Sequence, residues 1–533
     1  MAPSDSDIAF VNQPCRRGLE AQPRPGNAFT SLNRAVPTLL IAVALFAVSC
    51  KVGPNFSTPT AKVAEHLQAS PAITNRPYAA AEEYWWRCFH DPFLDQLIET
   101  AFRSNLSLQA AGVRILEARA RLSKSIGNLF PQQQYLSGQV GYSRLNDGVV
   151  NLIPGLDQNY LSDQLLFAAS WEVDFWGKYR RGIESDRAAY LGTIASYDDA
   201  LVTLIADVAG TYVNIRTLEE RLRVARRNLE LQQESLRIAT VQFNAGETSQ
   251  RDVEQATTQT AQTEAAIPRL EEAWIQYKDS LAVLLGMTPG EVDGHLAGQR
   301  PIPAVPATVA VGIPKDLLRR RPDVRAAGLE AASKSALIGV AKATMYPSFS
   351  LAGEFGITGN NEGNNTLADM FSWQSRALRA GGGFVFPIFN YGRLINQVRV
   401  QDAQFQAAVL HYQNTVLNAQ REVEDGLAAF ANERRVVTSL VRGATAARKS
   451  TELAIIQYKG GQTDYTTVVS AEQNQLTVED SLASNQGNVA LGLIAVYRAL
   501  GGGWQIRGGH DVVSDEGKAE MARRTDWGRL LET

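Results

Sequence analysis

From Leu201 every seventh residue is apolar, through Val208, Ile215, Leu222, Leu229, Leu236 and Phe243. Six unbroken heptad steps mark a coiled coil rather than a globular helix, because an apolar seam of that period faces a partner helix along its whole length. A helix running from Gly177 to Asn244 at about 1.5 Å per residue is a rod of roughly 100 Å, which no compact domain accommodates. The rule continues on a return leg with Val253, Thr260, Ile267, Trp274 and Leu281, backed three residues on by Ala256, Thr263, Leu270, Tyr277 and Leu284. The two legs are therefore expected to pack antiparallel around a turn at Asn244 to Gly246. Pro268 lies inside the return leg and is expected to kink it, since proline removes a backbone donor and clashes with the preceding turn.

The chain carries this unit twice. "FWGKYR" at 175–180 matches "NYGRLI" at 390–395, "QFNAGETSQRDVEQA" at 242–256 matches "QYKGGQTDYTTVVSA" at 457–471, and "LLG" at 284–286 matches "ALG" at 499–501, each pair 215 residues apart. Upstream, a helical stretch ending at Pro131 matches one ending at Pro347, 216 residues on. So constant an offset implies a duplication rather than a short-period solenoid. In the second copy Val416, Val423, Phe430, Val437, Ala444, Thr451 and Tyr458 occupy the matching seam.

Between the helices the pattern changes to period two. "QLLFAASWEVDFW" places Leu165, Phe167, Ala169, Trp171, Val173 and Phe175 on one face and Leu166, Ala168, Ser170, Glu172 and Asp174 on the other. "PSFSLAGEFGIT" sets Phe349, Leu351, Phe355 and Ile357 against Ser348, Ser350, Glu354 and Thr358, and "QYLSGQVGYSR" alternates likewise. A glycine-rich fourth strand is expected near Ala380 to Phe389, with Pro387 near its end or at a bulge. Strands of about ten residues with one apolar and one polar, partly acidic face suit a transmembrane barrel. Four strands do not close, and an open sheet leaves bare edges in lipid, so several chains must share one barrel. A soluble sheet packed on helices is the alternative.

"VALFAVSCKVGPNFSTPTA" at 43–61 has an apolar run of only about 13 residues before Cys50, short of the roughly 20 needed to span a bilayer. Arginines precede the run and the small residues Ala47 and Ser49 close it, as in a secretory signal. The stretch resembles a bacterial lipobox in which Cys50 becomes the acylated first residue, with Ala47 standing where that pattern has leucine and a long charged region before the apolar core. Lys51 after the cysteine resembles the outer-membrane side of the lipoprotein sorting rule.

Several function classes are excluded. A formal charge of -3 offers no footprint for nucleic acid. His66, His90, His295, His411 and His510 are scattered without ligand spacing, so no metal is expected, and no nucleophile or paired-carboxylate motif implies an enzyme. "RRRPDVR" at 319–325 reads as a helix start, "GGGF" at 381–384 as close strand packing, and Cys88 beside Trp85, Trp86 and Phe89 as a buried small hydrophobe.

Together "CKVGPNF", "WWRCFHDPFLDQLIETAFRSNLSLQAA" from Trp85, "LLRRRPDVRAAGLEAA" from Leu317, "YPSFSLAG" from Tyr346 and "FPIFNYGR" from Phe386 resemble the outer membrane factor family, in particular its lipoprotein branch of efflux ducts. The resemblance covers almost the whole chain after Cys50. It implies an α+β membrane protein: a homotrimer with four strands per chain in a twelve-stranded transmembrane β-barrel, continued by a coiled-coil α-helical tunnel through the periplasm. It further implies a passive exit duct in the outer membrane, partnered by a periplasmic adaptor and an inner-membrane RND-type transporter, with no cofactor beyond lipid on Cys50. A duct for type I protein secretion and a lipid-tethered periplasmic coiled-coil scaffold are the alternatives.

The expected organisation is a signal peptide over 1–49, a lipidated extended segment over 50–83, a first repeat over 84–286 and a Pro/Gly-rich linker over 287–316. The second repeat spans 317–503, and a polar tail follows over 504–533, expected to be mobile after about Gly508. Strands are expected at about 132–145, 164–176, 347–359 and 379–389, and helical hairpins at 177–285 and 392–500. Glu172, Asp174 and Glu354 are expected to face the barrel lumen and bias it towards cations, pairing with Arg or Lys across strands being the alternative. At the periplasmic mouth Gly246, Gly460 and Gly461 are expected to make the turns, and Arg251, Asp252, Asp464 and Tyr465 to supply the polar contacts of a gate. Ser470 stands where some efflux members of the family carry an aspartate constriction.

Overall fold

The computed structural model describes residues 51–64, 73–74, 83–144, 146, 159–294, 296, 298, 300–306, 309–310, 320–361 and 366–532; Cys50 and the proposed signal before it lie outside these residues. Helix α1, Pro92–Ser104, starts where the Asp91 carboxylate accepts the Phe93 N–H at 3.0 Å and proline occupies the first turn. Asn105 ends α1 and caps α2, Leu106–Gly127, by accepting the Leu108 N–H at 2.8 Å. Strands β1, Gln133–Arg144, and β2, Asn159–Val173, follow, then the long helix α3, Lys178–Asn244, and its return leg α4, Gln250–Leu284. The second half repeats the order with α5, Pro322–Ala343, β3, Ser348–Asn360, β4, Arg376–Val385, α6, Arg393–Lys459, and α7, Tyr465–Ala499. Helices α3 and α6 are both 67 residues long and α4 and α7 both 35. Each boundary of the first hairpin recurs 215 residues later in the second. Helix α4 runs on through Pro268.

The seam residues Leu201, Val208 and Ile215 are fully buried. They join a core with Leu94, Leu97 and Ile98 of α1, Val423, Leu427 and Phe430 of α6, and Leu493, Ile494 and Tyr497 of α7. Farther along α3 the apolar heptad residues emerge: Leu229 and Leu236 are half-buried and Phe243 is exposed. There the deeply buried side chains are Asn228, Gln232 and Ser235, and apolar packing resumes only near the turns, where Ile238, Ala239, Ala256, Ala454, Tyr458, Tyr465 and Val468 cluster.

The strands form one antiparallel sheet in the order β1-β2-β3-β4. Strand β2 begins at Asn159, five residues earlier than the alternation suggested, and ends at Val173; β4 begins at Arg376 and ends at Val385, so Pro387 lies beyond it and needs no bulge.

The tail corrects the expectation of mobility. Trp504–Arg507 form a 3₁₀ turn, and α8, Asp515–Arg524, caps its own start with Ser514. Val513 and Met521 bury against Leu116 of α2, with Val512, Trp527 and Leu531 alongside. The Arg119 guanidinium donates to the carbonyls of Leu530 (3.0 Å) and Glu532 (2.7 Å), and Arg507 Nε sits 2.7 Å from the buried Asp198 of α3. The tail is polar in composition, yet Val513, Met521, Trp527 and Leu531 gather on Leu116 of α2 while Trp504 and Ile506 pack on the main core. Gly112 admits it, since a Cβ there would lie 2.0 Å from the Val512 carbonyl oxygen. Gly112→Leu is expected to cost about 1–3 kcal/mol through overpacking and to expose the tail to protease; an unchanged digestion pattern and unfolding midpoint would contradict the packed tail.

Candidate functional site

Pairing across the sheet sets Leu136, Phe167, Phe355 and Leu378 in one row of directly opposed residues, and Val173, Phe349 and Phe384 in another. Leu136 and Leu378 are 68% and 78% exposed, so the row is an uncovered apolar stripe running across all four strands. The opposite face carries Tyr135, Ala168, Glu354 and Arg379 in one row, and Gln139, Gln164 and Thr358 in another. An apolar face this continuous is not what a soluble monomer presents to water. The outer strands β1 and β4 each have a neighbour on one side only, leaving two rows of backbone donors and acceptors open.

The three carboxylates assigned to the lumen differ in setting. Asp174 lies just past the end of β2 and starts α3: it accepts the N–H groups of Tyr179 and Arg180 and the Arg180 Nε, each at 3.0 Å. That role as a helix-start acceptor was not legible from strand alternation. Glu172 accepts from Lys178 Nζ at 2.9 Å and from the Tyr179 hydroxyl at 3.0 Å. Glu354 faces Arg379 across the β3–β4 pair at 3.5 Å. Each carboxylate meets a cation of its own chain, which removes the uncompensated negative charge on which a cation preference would rest.

At the other end of the hairpins both turns are Schellman closures. In the first, Gly246 N–H bonds to Phe243 O (2.9 Å) and Glu247 N–H to Gln242 O (2.9 Å); in the second, Gly461 N–H bonds to Tyr458 O (3.0 Å) and Gln462 N–H to Gln457 O (2.8 Å). Gly246 and Gly461 hold φ of 76° and 67°, the left-handed region that favours glycine, whereas Gly460 sits at φ -86°, open to any residue. Asp464 is exposed and caps α7, accepting the Thr467 N–H at 3.0 Å; Arg251 is also exposed. Tyr465 and Asp252 are buried inside the chain. Tyr465 stands edge-on to Tyr458 at 5.0 Å, and Asp252 accepts from the hydroxyls of Ser249 (3.3 Å) and Thr248. Arg251 and Asp464 thus lie at the surface, Arg251 3.7 Å from Asp252 Oδ1 and Asp464 on Thr467, whereas Tyr465 and Asp252 are committed to internal packing.

A tie between the two turns escaped the sequence reading, which placed Tyr458 only in the apolar seam. The Tyr458 hydroxyl lies 3.5 Å from Thr248 Oγ1, and Gln242 Nε2 donates to the Tyr458 carbonyl at 3.4 Å, tying the first turn to the second hairpin. The signal was present: the position matching Tyr458 in the first copy is Phe243, so only one copy has the hydroxyl.

Among the described residues no three metal-binding side chains converge, and burial pushes the Cys88 thiol up to about 12, which keeps it unreactive.

A family model described as outer membrane efflux protein matches residues 97–287 and 313–502. The chain is 29% identical to nodulation protein T of Rhizobium leguminosarum bv. trifolii, over 81% of this chain and 90% of that one. It is also 29% identical to the pyoverdine export outer membrane protein OpmQ of Pseudomonas putida, over 87% and 97%. Among solved structures it resembles the outer-membrane channel OprN with a TM-score of 0.79 and 32% identity, covering 86% of this chain and all of that one. The bare-edged sheet with its apolar stripe and the two long hairpins agree with these likenesses: the chain belongs to the outer membrane efflux protein family, whose members are channels and not enzymes.

Proposed function

We propose that the protein is the outer-membrane exit duct of a tripartite efflux system, passing small molecules passively from periplasm to exterior. The observation that carries this is the sheet: an apolar stripe crosses all four strands and both edges are open. Because four is an even number, β4 of one copy meets β1 of the next in antiparallel alignment, and three copies close a twelve-stranded barrel, large enough to enclose a lumen. In that barrel the stripe faces lipid and the row with Glu354 and Arg379 faces the lumen. The hairpins α3–α4 and α6–α7 then contribute six legs pairs to a tunnel whose mouth is formed by the two turns. The matched relatives include a toluene efflux pump outer membrane protein, TtgC of Pseudomonas putida. That supports a periplasmic adaptor and an inner-membrane RND-type transporter as partners. Cys50 carries the lipid in this reading, and Cys50→Ser is expected to leave a form without acyl chains, which mass spectrometry of the mature N-terminus detects.

The test is electrical and cellular. Purified protein in planar bilayers is expected to give discrete channels, and deleting it to raise sensitivity to exported compounds; bilayers that stay silent at high protein load would contradict a duct. At the mouth, Arg251→Ala with Asp464→Asn is expected to raise conductance with trimer retained. Asn keeps the helix cap that Ala would lose at about 1 kcal/mol. Unchanged conductance at normal protein level would remove these residues from the gate and leave the duct intact.

A further inference from the structure

Between the main core and the apical cluster, α3 and α7 meet across a polar contact. The helices run antiparallel there, so Ser235 of α3 stands opposite Glu472 of α7, and one heptad step away Asn228 stands opposite Glu479. All four are at most 2% exposed, as is Gln232 between them on α3. The rungs differ in charge. Glu479 accepts from Asn228 Nδ2 at 2.9 Å and is neutralised by Arg448 of α6. Glu472 accepts from the Ser235 hydroxyl at 2.5 Å, and its Oε2 has no hydrogen-bond partner; neither do the amide oxygen and nitrogen of Gln232. A buried carboxylate with one neutral donor is an expensive group in its charged form. A carboxylic acid in the same place is not.

We propose that the Ser235–Glu472 rung is a proton-sensitive clasp: with a proton on Glu472 the apical part of α3 is held tightly on α7, and ionisation of Glu472 loosens that seam. Burial pushes the Glu472 carboxyl up to about 7, with only the Ser235 hydrogen bond opposing it. The titratable groups around it do not compete. Burial raises the phenols of Tyr465 on α7 and Tyr458 on α6, keeping both neutral; Asp252 of α4 adds a negative charge near Tyr465; Arg448 is taken up by Glu479. A carboxyl whose value is raised in the packed seam favours packing when protonated. The clasp is therefore fully closed below the ordinary carboxylate value of 4.5, weakens as pH rises from there to about 7, and weakens no further above that. The polar belt lies just below the turns, so loosening it frees the apical hairpins while the main core stays packed. The inference concerns packing within one chain and does not depend on what the channel carries.

Hydrogen exchange on the full protein in detergent tests it, following backbone amides of 228–244 and 465–480 from pH 5 to 8 after correction for intrinsic exchange. The expected opening equilibrium in these segments rises by up to about tenfold per pH unit to about pH 7 and then levels, one proton being released on opening. Glu472→Gln is expected to abolish the rise; Glu472→Met, also neutral, serves if the amide variant does not assemble. Ser235→Ala removes the one donor and should move the levelling point to higher pH. A flat wild-type profile, an unchanged slope in the neutral variants, or an unmoved levelling point in Ser235→Ala would overturn the clasp.

Discussion

Arg181→Ala is expected to lower stability by about 3–5 kcal/mol and to release the segment Lys51–Asn55 from the body, because it strips partners from a buried charged site. Arg181 opens α3 and is 1% exposed. Its guanidinium donates to the carbonyls of Val52 (3.1 Å) and Gly53 (3.1 Å), to Asn55 Oδ1 (2.9 Å) and to Glu184 (2.9 Å). Removing it leaves these acceptors in a socket too tight to rearrange: Gly53 holds φ 95°, and a Cβ on it would lie 2.4 Å from the Gly339 Cα of α5. Arg181→Lys should be intermediate, since one ammonium does not span acceptors arranged for a planar fork. Gly339→Val should release the same segment by sterics alone, as a Cβ there would meet the Val52 carbonyl oxygen at 2.8 Å. Denaturant midpoints and protease accessibility at Lys51 report both effects. Wild-type midpoints in Arg181→Ala and Gly339→Val together would show that the segment merely lies on the surface.

The second large effect is expected at the end of α4. Gly286 holds φ 69°, and a Cβ built on it would sit 2.4 Å from the Ser104 carbonyl oxygen. Both objections are to backbone, so no rotamer relieves them. Gly286→Val is expected to yield no assembled protein. The matching glycine of the second copy, Gly501, has the same φ of 69° but a looser approach: a Cβ there would lie 3.0 Å from Arg321 Cγ, 3.1 Å from Arg321 Cα and 3.3 Å from Pro322 Cδ. Gly501→Ala should therefore still assemble, with stability lowered by about 1–3 kcal/mol, the left-handed penalty plus the small shift its neighbours must make. Heat-modifiable oligomer on gels, normalised to total protein, separates the two. Equal yields from Gly286→Val and wild type would contradict the close approach of α1 to the helix end.

Much of this architecture was legible because it was written twice. The "LLG" and "ALG" pairs, the two turn motifs and the constant offset pointed to two equal hairpins, and the heptads set the length of α3 at one residue more than observed. Strand alternation found the sheet faces, since period two survives wherever one face is apolar. The failures share a cause: the deciding contacts lie far apart in sequence. Nothing near Val513 or Met521 signals that both land on Leu116. Asp174 reads as a strand residue until the chain turns into α3 and brings the Tyr179 and Arg180 amides to it. Ser235 and Glu472 look like surface positions on polar helices, and only the antiparallel packing of α3 on α7 buries them. Among the gate candidates, the turn glycines were identifiable from local chemistry, but whether Tyr465 and Asp252 point outward depended on the apical cluster.

Native mass spectrometry of the species extracted from outer membranes by detergent measures the main conclusion directly. Three copies of the chain, holding together until heated, are expected if β4 of each copy closes on β1 of the next. A monomer, or protein that leaves the membrane without detergent, would mean that the open edges of the sheet are not joined between copies and that the chain is not part of a closed barrel.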